Sequence, residues 1–138
     1  MKVNGLTLPE ALVADLRDGR MNLSERERAE LRRSLKHMEA AGLAPYLFRD
    51  AETIERENRL WLEDYARGYE GDWSILHRPG RVVRHLTLNI GAAGYDEPIA
   101  LDYRTQPPRV VYLADIGQRG RWLTLARSYQ SLRARLAT

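Results

Sequence analysis

Residues 89–113 constrain the fold of this chain more than any other stretch. They read NIGAAGYDEPIALDYRTQPPRVVYL, so short apolar runs alternate with segments that contain glycine or proline. One strand is expected to end at Ile90, and further strands are expected over residues 99–103 and 110–113. Residues 91–94 and a proline pair are expected to form the turns between these strands. The stretch therefore predicts a strand–turn–strand–turn–strand unit.

The first half of the chain has a helical period instead. Apolar residues recur every three or four positions on one face, which predicts helices over residues 8–18, 24–41 and 51–67. The first helix is expected to start with a capping box from Thr7 to Glu10, and the second with one from Ser24 to Glu27. Asp50 is expected to cap the third helix.

A two-residue period begins after the third helix and predicts strands over residues 73–77 and 82–90. A closing helix is expected over residues 123–137, with Leu125 and Tyr129 on its apolar stripe. Helices followed by strands and then a helix predict an α+β fold. We expect a largely antiparallel sheet of about 4–6 strands in the C-terminal half, packed against N-terminal helices and a closing C-terminal helix.

The composition fits one domain over residues 1–138, expected in the cytoplasm. The chain has no cysteine, which is typical of proteins from a reducing compartment, and it begins without the apolar segment of a signal peptide. No apolar run approaches the roughly 18 residues that a membrane-spanning helix needs, so no membrane partner is expected. The net charge is +3, and residues 116–138 hold five arginines and no acid. Those arginines point in different directions on a helical wheel, without interleaved aromatic residues, which argues against a nucleic-acid partner.

Three carboxylates, Asp96, Glu97 and Asp102, form the densest acidic cluster of the strand region. They could act as a general acid and base or as ligands of a hard metal ion. The alternative favoured by the pattern is that Asp96 and Glu97 stabilise a turn and that Asp102 lies on the solvent face of its strand. The three histidines have no metal-ligand spacing, and no glycine-rich loop is followed by a helix that could hold a phosphate. No metal or cofactor is therefore expected.

The chain resembles the SUKH superfamily, which contains fungal cell-wall-synthesis regulators and bacterial toxin-immunity proteins. The resemblance covers residues 47–138 and rests on the order and spacing of several residues: Ile54, Asn58, Trp61, Gly94, Pro98, Leu101, Trp122, Ala126, Ser128 and Tyr129. A fainter match lies at Leu8-Pro9, but the Asn-Gly and Gly-Gly that usually follow this helix in the family are replaced by Arg20-Met21-Asn22. The resemblance implies the same α+β architecture. Asn58 is expected to be a buried amide bonded to strand or loop backbone, and Trp122 is expected to pack against the sheet at the start of the closing helix.

The resemblance also implies a protein-binding domain that is not an enzyme. The first interpretation is an immunity protein that binds and blocks a cognate toxin, and the alternative is a regulatory adaptor that binds a cellular protein. An enzyme that uses Asp96, Glu97 and Asp102 is the third interpretation. If the domain binds a partner, these three carboxylates are the candidate binding residues. The sequence fixes neither the partner nor the oligomeric state.

Overall fold

The computed structural model describes residues 1–36, 38, 43–70, 80–94, 97–114 and 120–138. The strands are β1 (Lys2–Val3), β2 (Leu6–Thr7), β3 (Tyr46–Leu47), β4 (Thr87–Ala92), β5 (Pro98–Asp102), β6 (Arg109–Ala114) and β7 (Arg121–Ala126). The α-helices are α1 (Glu10–Arg17), α2 (Glu25–Ser34), α3 (Ala51–Leu60), α4 (Ala66–Tyr69) and α5 (Tyr129–Leu136). A π-helical turn, Trp61–Tyr65, joins α3 to α4, and a 3-10 turn, Arg84–Leu86, precedes β4.

The main sheet has five antiparallel strands in the order β3-β4-β5-β6-β7, and β1 and β2 form a separate hairpin. Its central register places Leu101 opposite Leu88 on one side and opposite Val110 on the other. With helices before the sheet and α5 after it, this arrangement confirms the predicted α+β fold and its five strands fall within the expected number. Strands β5 and β6 lie within one residue of their predicted bounds at either end.

Both faces of the sheet are covered. On one face, Ile99 and Leu101 belong to the main core, where α1, α2 and α5 pack. Along each strand, alternate side chains point to the other face of the sheet. There Ala100 and its neighbours belong to a second cluster, which we call the tryptophan core. Its buried members are Trp61, Ala66, Val82, Ala100, Val111, Leu113 and Trp122. A strand that is buried on both faces has no solvent side, which decides the position of Asp102 described below.

Local caps explain where two of the helices begin. The Ser24 hydroxyl accepts a hydrogen bond from the Glu27 backbone N–H at 3.1 Å, and the Ser24 N–H donates to the Glu27 carboxylate at 2.9 Å, which confirms that capping box. The Asp50 carboxylate accepts from the Thr53 N–H at 2.7 Å, as predicted. The predicted box at Thr7 is wrong, because Thr7 lies in β2 and Pro9 precedes α1 without a side-chain cap.

The closing helix starts six residues later than predicted. Residues 121–126 form β7, which pairs with β6, and Ser128 caps α5 by accepting from the Ser131 N–H at 3.1 Å. Leu125 and Tyr129 are spaced like helical neighbours and are both buried, but the first lies in a strand and the second in the helix. The helical interpretation failed because the spacing of Leu125 and Tyr129 imitates a helix across a strand–helix boundary, and pairing with β6 makes residues 121–126 a strand.

Three further boundaries differ from the predictions. Helix α2 ends at Ser34, and most of the remaining predicted helix lies outside the described residues, as does the predicted strand over residues 73–77. The predicted strand over residues 82–90 begins only at Thr87, after the 3-10 turn. Gly91 lies inside β4 and not in a turn, because the backbone of β3 passes so close that a side chain there would collide with the Tyr46 carbonyl.

Candidate functional site

The structure does not bring the three predicted carboxylates together on one exposed face. Asp96 lies outside the described residues. Glu97 is partly exposed just before β5, and its C=O accepts a hydrogen bond from the Ala93 N–H at 2.8 Å. Asp102, at the end of β5, is 0% exposed. The expectation that Asp102 faces solvent is therefore wrong, and its carboxylate cannot touch a partner protein.

Two arginines enclose the Asp102 carboxylate. Arg104 reaches it through Nε at 3.0 Å and through a terminal nitrogen at 2.9 Å, and its backbone N–H donates at 3.1 Å. Arg109, opposite Asp102 in the register of β5 and β6, donates from Nε at 2.8 Å. Burial of a carboxylate is tolerated when its oxygens are bonded and its charge is balanced in this way.

These contacts fix the protonation state of Asp102. Burial acts to raise the pKa of Asp102, but the hydrogen bonds from Arg104 and Arg109 outweigh it and hold this pKa below its ordinary value. A carboxylate with a lowered pKa is ionised at neutral pH and has little tendency to take up a proton. Asp102 therefore has the chemistry of a structural counter-ion, and a general base would need the opposite shift.

The ion pairs continue along this end of the tryptophan core. Arg104 also donates to the Arg81 C=O at 2.7 Å. The Glu70 carboxylate lies 3.3 Å from Arg81 and 3.1 Å from Arg84. Burial acts to raise the pKa of Glu70, and its bonds to these two arginines lower it overall. The network ties the segment before β4 to α4 and to the end of β5.

Asn58 occupies the position that the sequence predicts for a buried amide. It is 0% exposed, and its Nδ2 donates to the Ile54 C=O and to the Asn89 C=O, both at 2.8 Å. Its Oδ1 accepts from the Asn89 N–H at 2.7 Å. The two bonds to Asn89 dock α3 on β4, and the bond to Ile54 lies within α3, so all three give this amide a structural role.

The two tryptophans of the resemblance meet in the tryptophan core. The rings of Trp61 and Trp122 pack edge to face with their centroids 6.5 Å apart, and both residues are 0% exposed. Each indole N–H is satisfied by backbone: Trp61 donates to the Arg84 C=O at 3.1 Å, and Trp122 donates to the Tyr69 C=O at 2.9 Å. Trp122 is buried as expected, but it lies within the sheet, in β7, and not at the start of a helix that packs against the sheet.

The other residues of the resemblance also build the fold. Ile54, Pro98, Leu101, Ala126 and Tyr129 are buried, and Gly94 is partly buried where β4 ends. The Tyr129 hydroxyl donates to the Asp15 carboxylate at 2.7 Å, and Arg133 reaches the same carboxylate at 2.9 Å. None of these side chains presents a reactive group at the surface.

A surface cleft of about 260 Å3 beside β3 is a feature that the sequence did not reveal. We call it the β3 cleft. Two stretches of the chain line it. The first, at the start of α2 and just before it, contributes Met21, Asn22, Leu23 and Arg28. The second runs from β3 into the start of α3 and contributes Tyr46, Leu47, Phe48, Arg49, Asp50 and Thr53. Tyr46 is 46% exposed there. No local sequence signal could have found the cleft, because its walls come from two stretches, residues 21–28 and 46–53, that only the fold brings together.

Two of the C-terminal arginines are engaged within the domain. Arg133 binds Asp15 and also lies 3.2 Å from the Glu27 carboxylate. Arg135 donates to the Leu125 C=O at 2.7 Å. Their charges therefore serve the packing of α5 on its neighbours in addition to any role at the surface.

Within the described segments, no three histidine, aspartate or glutamate side chains are grouped closely enough to hold a metal ion. No helix in the same segments has the length and apolar character needed to cross a membrane. The sequence matches no model of a known protein family, no curated protein and no solved structure. The resemblance to the SUKH superfamily therefore rests on the residues quoted above.

Proposed function

We propose that this chain is a protein-binding domain of the SUKH type without enzymatic activity. In this proposal it is a cytoplasmic immunity protein that binds a cognate toxin and blocks it by covering the surface that the toxin needs. Such occlusion requires an interface of roughly 800 Å2 on each partner and no bound cofactor.

The observation that carries the proposal is the meeting of the motif residues in one packed unit. Trp61 comes from the helical half and Trp122 from the strand half, and their rings are in contact. Asn58, in the same helix as the first motif residue, bonds β4 directly. The residues on which the resemblance rests therefore stabilise the fold, and any function must lie on the exposed surfaces. This division is typical of a domain that serves as a binding scaffold.

The state of Asp102 supports a binding function over an enzymatic one. A catalytic carboxylate must reach its substrate and must exchange a proton near neutral pH. Asp102 is enclosed by Arg104 and Arg109 and has a lowered pKa. The Asp102 carboxylate, which the enzymatic interpretation requires, is therefore part of an internal ion pair.

An affinity capture tests the proposal. The tagged full chain is incubated with lysate of its own host at moderate and at high salt, and the eluate is analysed by mass spectrometry and for nucleic acid. We expect one protein in stoichiometric amount that remains bound at high salt. An eluate without such a protein, or one containing only nucleic acid that is lost at high salt, would contradict the proposal.

The kind of partner then separates the immunity protein from the regulatory adaptor. If the captured protein is a toxin, co-expression of the chain should restore growth of cells that produce it, whereas a variant that no longer captures it should not. If the captured protein is a cellular component whose production does not harm cells, the adaptor is the correct interpretation.

A further inference from the structure

We propose that the β3 cleft is the anchor site of the partner and that it takes an aromatic side chain flanked by carboxylates, presented on a segment of the partner protein. This inference rests on the proposed function, since it names where a protein partner is held and what chemistry it offers. Its test below uses synthetic peptides, so it can fail or succeed independently of the identity of the partner.

The floor of the cleft is apolar. Met21, Leu23, Leu47 and Phe48 line it and are at most 8% exposed, so they form a packed surface that binding need not rearrange. A volume of about 260 Å3 is small for a whole ligand but is sufficient for one large side chain. Pockets of this kind hold the anchor residues that dominate protein interfaces.

The rim of the cleft carries a net positive charge. Arg28 and Arg49 line it, together with a single carboxylate, Asp50. The hydrogen bond from the Thr53 N–H lowers the pKa of Asp50, so this carboxylate is charged and offsets one of the two arginines. Arg28 is steadied by a bond of 3.2 Å from its guanidinium to the Leu23 C=O, which leaves further donors on the same group. An acidic occupant complements this rim, and a basic one would be repelled.

Tyr46 provides the wall against which an aromatic side chain would pack. It is 46% exposed, and its ring lies edge-on to Phe48 with the centroids 6.0 Å apart. That contact holds the ring in place before any partner arrives, which reduces the entropy lost on binding. Tyrosine is enriched among the residues that dominate protein interfaces.

Peptide titration followed by NMR tests the site directly. The first probe is the peptide acetyl-Gly-Asp-Phe-Asp-Gly-amide, and its controls replace both Asp residues by Lys or replace Phe by Ala. We expect the first probe to shift the Met21 methyl and the Thr53 and Arg49 amides, with a Kd on the order of 1 mM. Neither control peptide should reach half of that shift at the same concentration. Equal shifts with the lysine peptide, or no shift at these residues, would overturn the inference.

Two variants locate the binding within the cleft. Tyr46→Ser and Arg49→Glu should each weaken binding of the acidic aromatic peptide about tenfold. Val83→Ser removes a similarly exposed apolar side chain elsewhere, and Arg67→Glu reverses an exposed charge on α4, so both should bind like the wild type. Thermal melts of all four variants establish that they fold. Binding that survives both cleft variants would show that the peptide binds elsewhere.

The same variants separate this inference from the proposed function. If host lysate yields a partner that Tyr46→Ser and Arg49→Glu capture as well as the wild type does, the domain binds proteins through another surface and the anchor site is wrong. If the peptides bind as expected but no partner is captured, the ligand chemistry assigned to the β3 cleft is correct and the proposed function fails.

Discussion

The side chain of Asn58 hydrogen-bonds to both main-chain groups of Asn89, accepting from its N–H at 2.7 Å and donating to its C=O at 2.8 Å. A neighbouring strand would make the same pair of bonds. Strand β3 pairs with β4 at Gly91 and Ala92, and the Phe48 N–H donates to the Ile90 C=O at 2.8 Å. At the next residue, Asn89, an amide from α3 takes the place of a strand. The helix is thereby fixed against the sheet by polar contacts as well as by packing.

Replacement of Asn58 by leucine should lower the free energy of unfolding by about 2–4 kcal/mol. The change removes three hydrogen bonds and leaves the buried N–H and C=O of Asn89 without these partners, which costs more than the bonds themselves contribute. Urea denaturation followed by circular dichroism measures the loss. Arg59→Ala, at an exposed position of the same helix, should change the free energy of unfolding by less than about 0.5 kcal/mol. Equal stability of both variants would mean that the amide contributes little to docking.

Asp102→Asn should destabilise the domain by about 2–3 kcal/mol. The variant keeps the shape of the side chain but removes the charge that balances Arg104 and Arg109, whose side chains are only about a quarter exposed. Glu30→Gln, which breaks the more exposed ion pair with Arg33, is the matched control and should cost less than about 1 kcal/mol. Chemical denaturation compares the two variants. A neutral effect of Asp102→Asn would show that the arginines find other partners.

Acid should destabilise the domain through its paired carboxylates. The folded-state pKa values of Asp102, Glu70 and Glu27 lie below their ordinary values of about 3.9 and 4.3. The stability that these groups contribute is therefore fully present above about pH 5 and is lost as the pH falls through their folded-state pKa values. Melting temperatures measured from pH 7 to pH 3 should stay level to about pH 5 and then fall. The melting temperature of Asp102→Asn should fall less steeply with pH than that of the wild type. Parallel curves for the two proteins would contradict the role given to this carboxylate.

Gly91→Ala should destabilise the domain by about 1–3 kcal/mol and loosen β3 from the sheet. A Cβ at this position would meet the Tyr46 carbonyl well inside van der Waals contact and would lie 3.0 Å from the Leu47 Cα. Gly68→Ala is the matched control, because Gly68 lies in α4 with open space around it and alanine favours helices by about 0.5–1 kcal/mol. In thermal melts, we expect Gly91→Ala to lower the melting temperature and Gly68→Ala to raise it. Hydrogen exchange of the β3 amides would report the loosening.

The sequence by itself determined the features that depend on a few neighbouring residues. The capping groups of Ser24 and Asp50 act within one helical turn, and both helices begin where these residues predict. The positions of glycine and proline in residues 89–113 predicted the bounds of β5 and β6 to within one residue at either end. The buried amide at Asn58 was also predictable, since a lone polar residue on an apolar helical face needs a backbone partner.

Only the tertiary structure decided which strand faces are buried and which segments meet. Asp102 was expected to be exposed because strand alternation assigns it to the face opposite Leu101, but α3 and the turn after it place Trp61 and its neighbours over that face. Residues 121–126 became a strand because β6 offers them a ladder of hydrogen bonds. The β3 cleft exists because two separate stretches of the chain, residues 21–28 and 46–53, converge. Burial and pairing of this kind depend on residues far apart in the chain, so no local pattern encodes them.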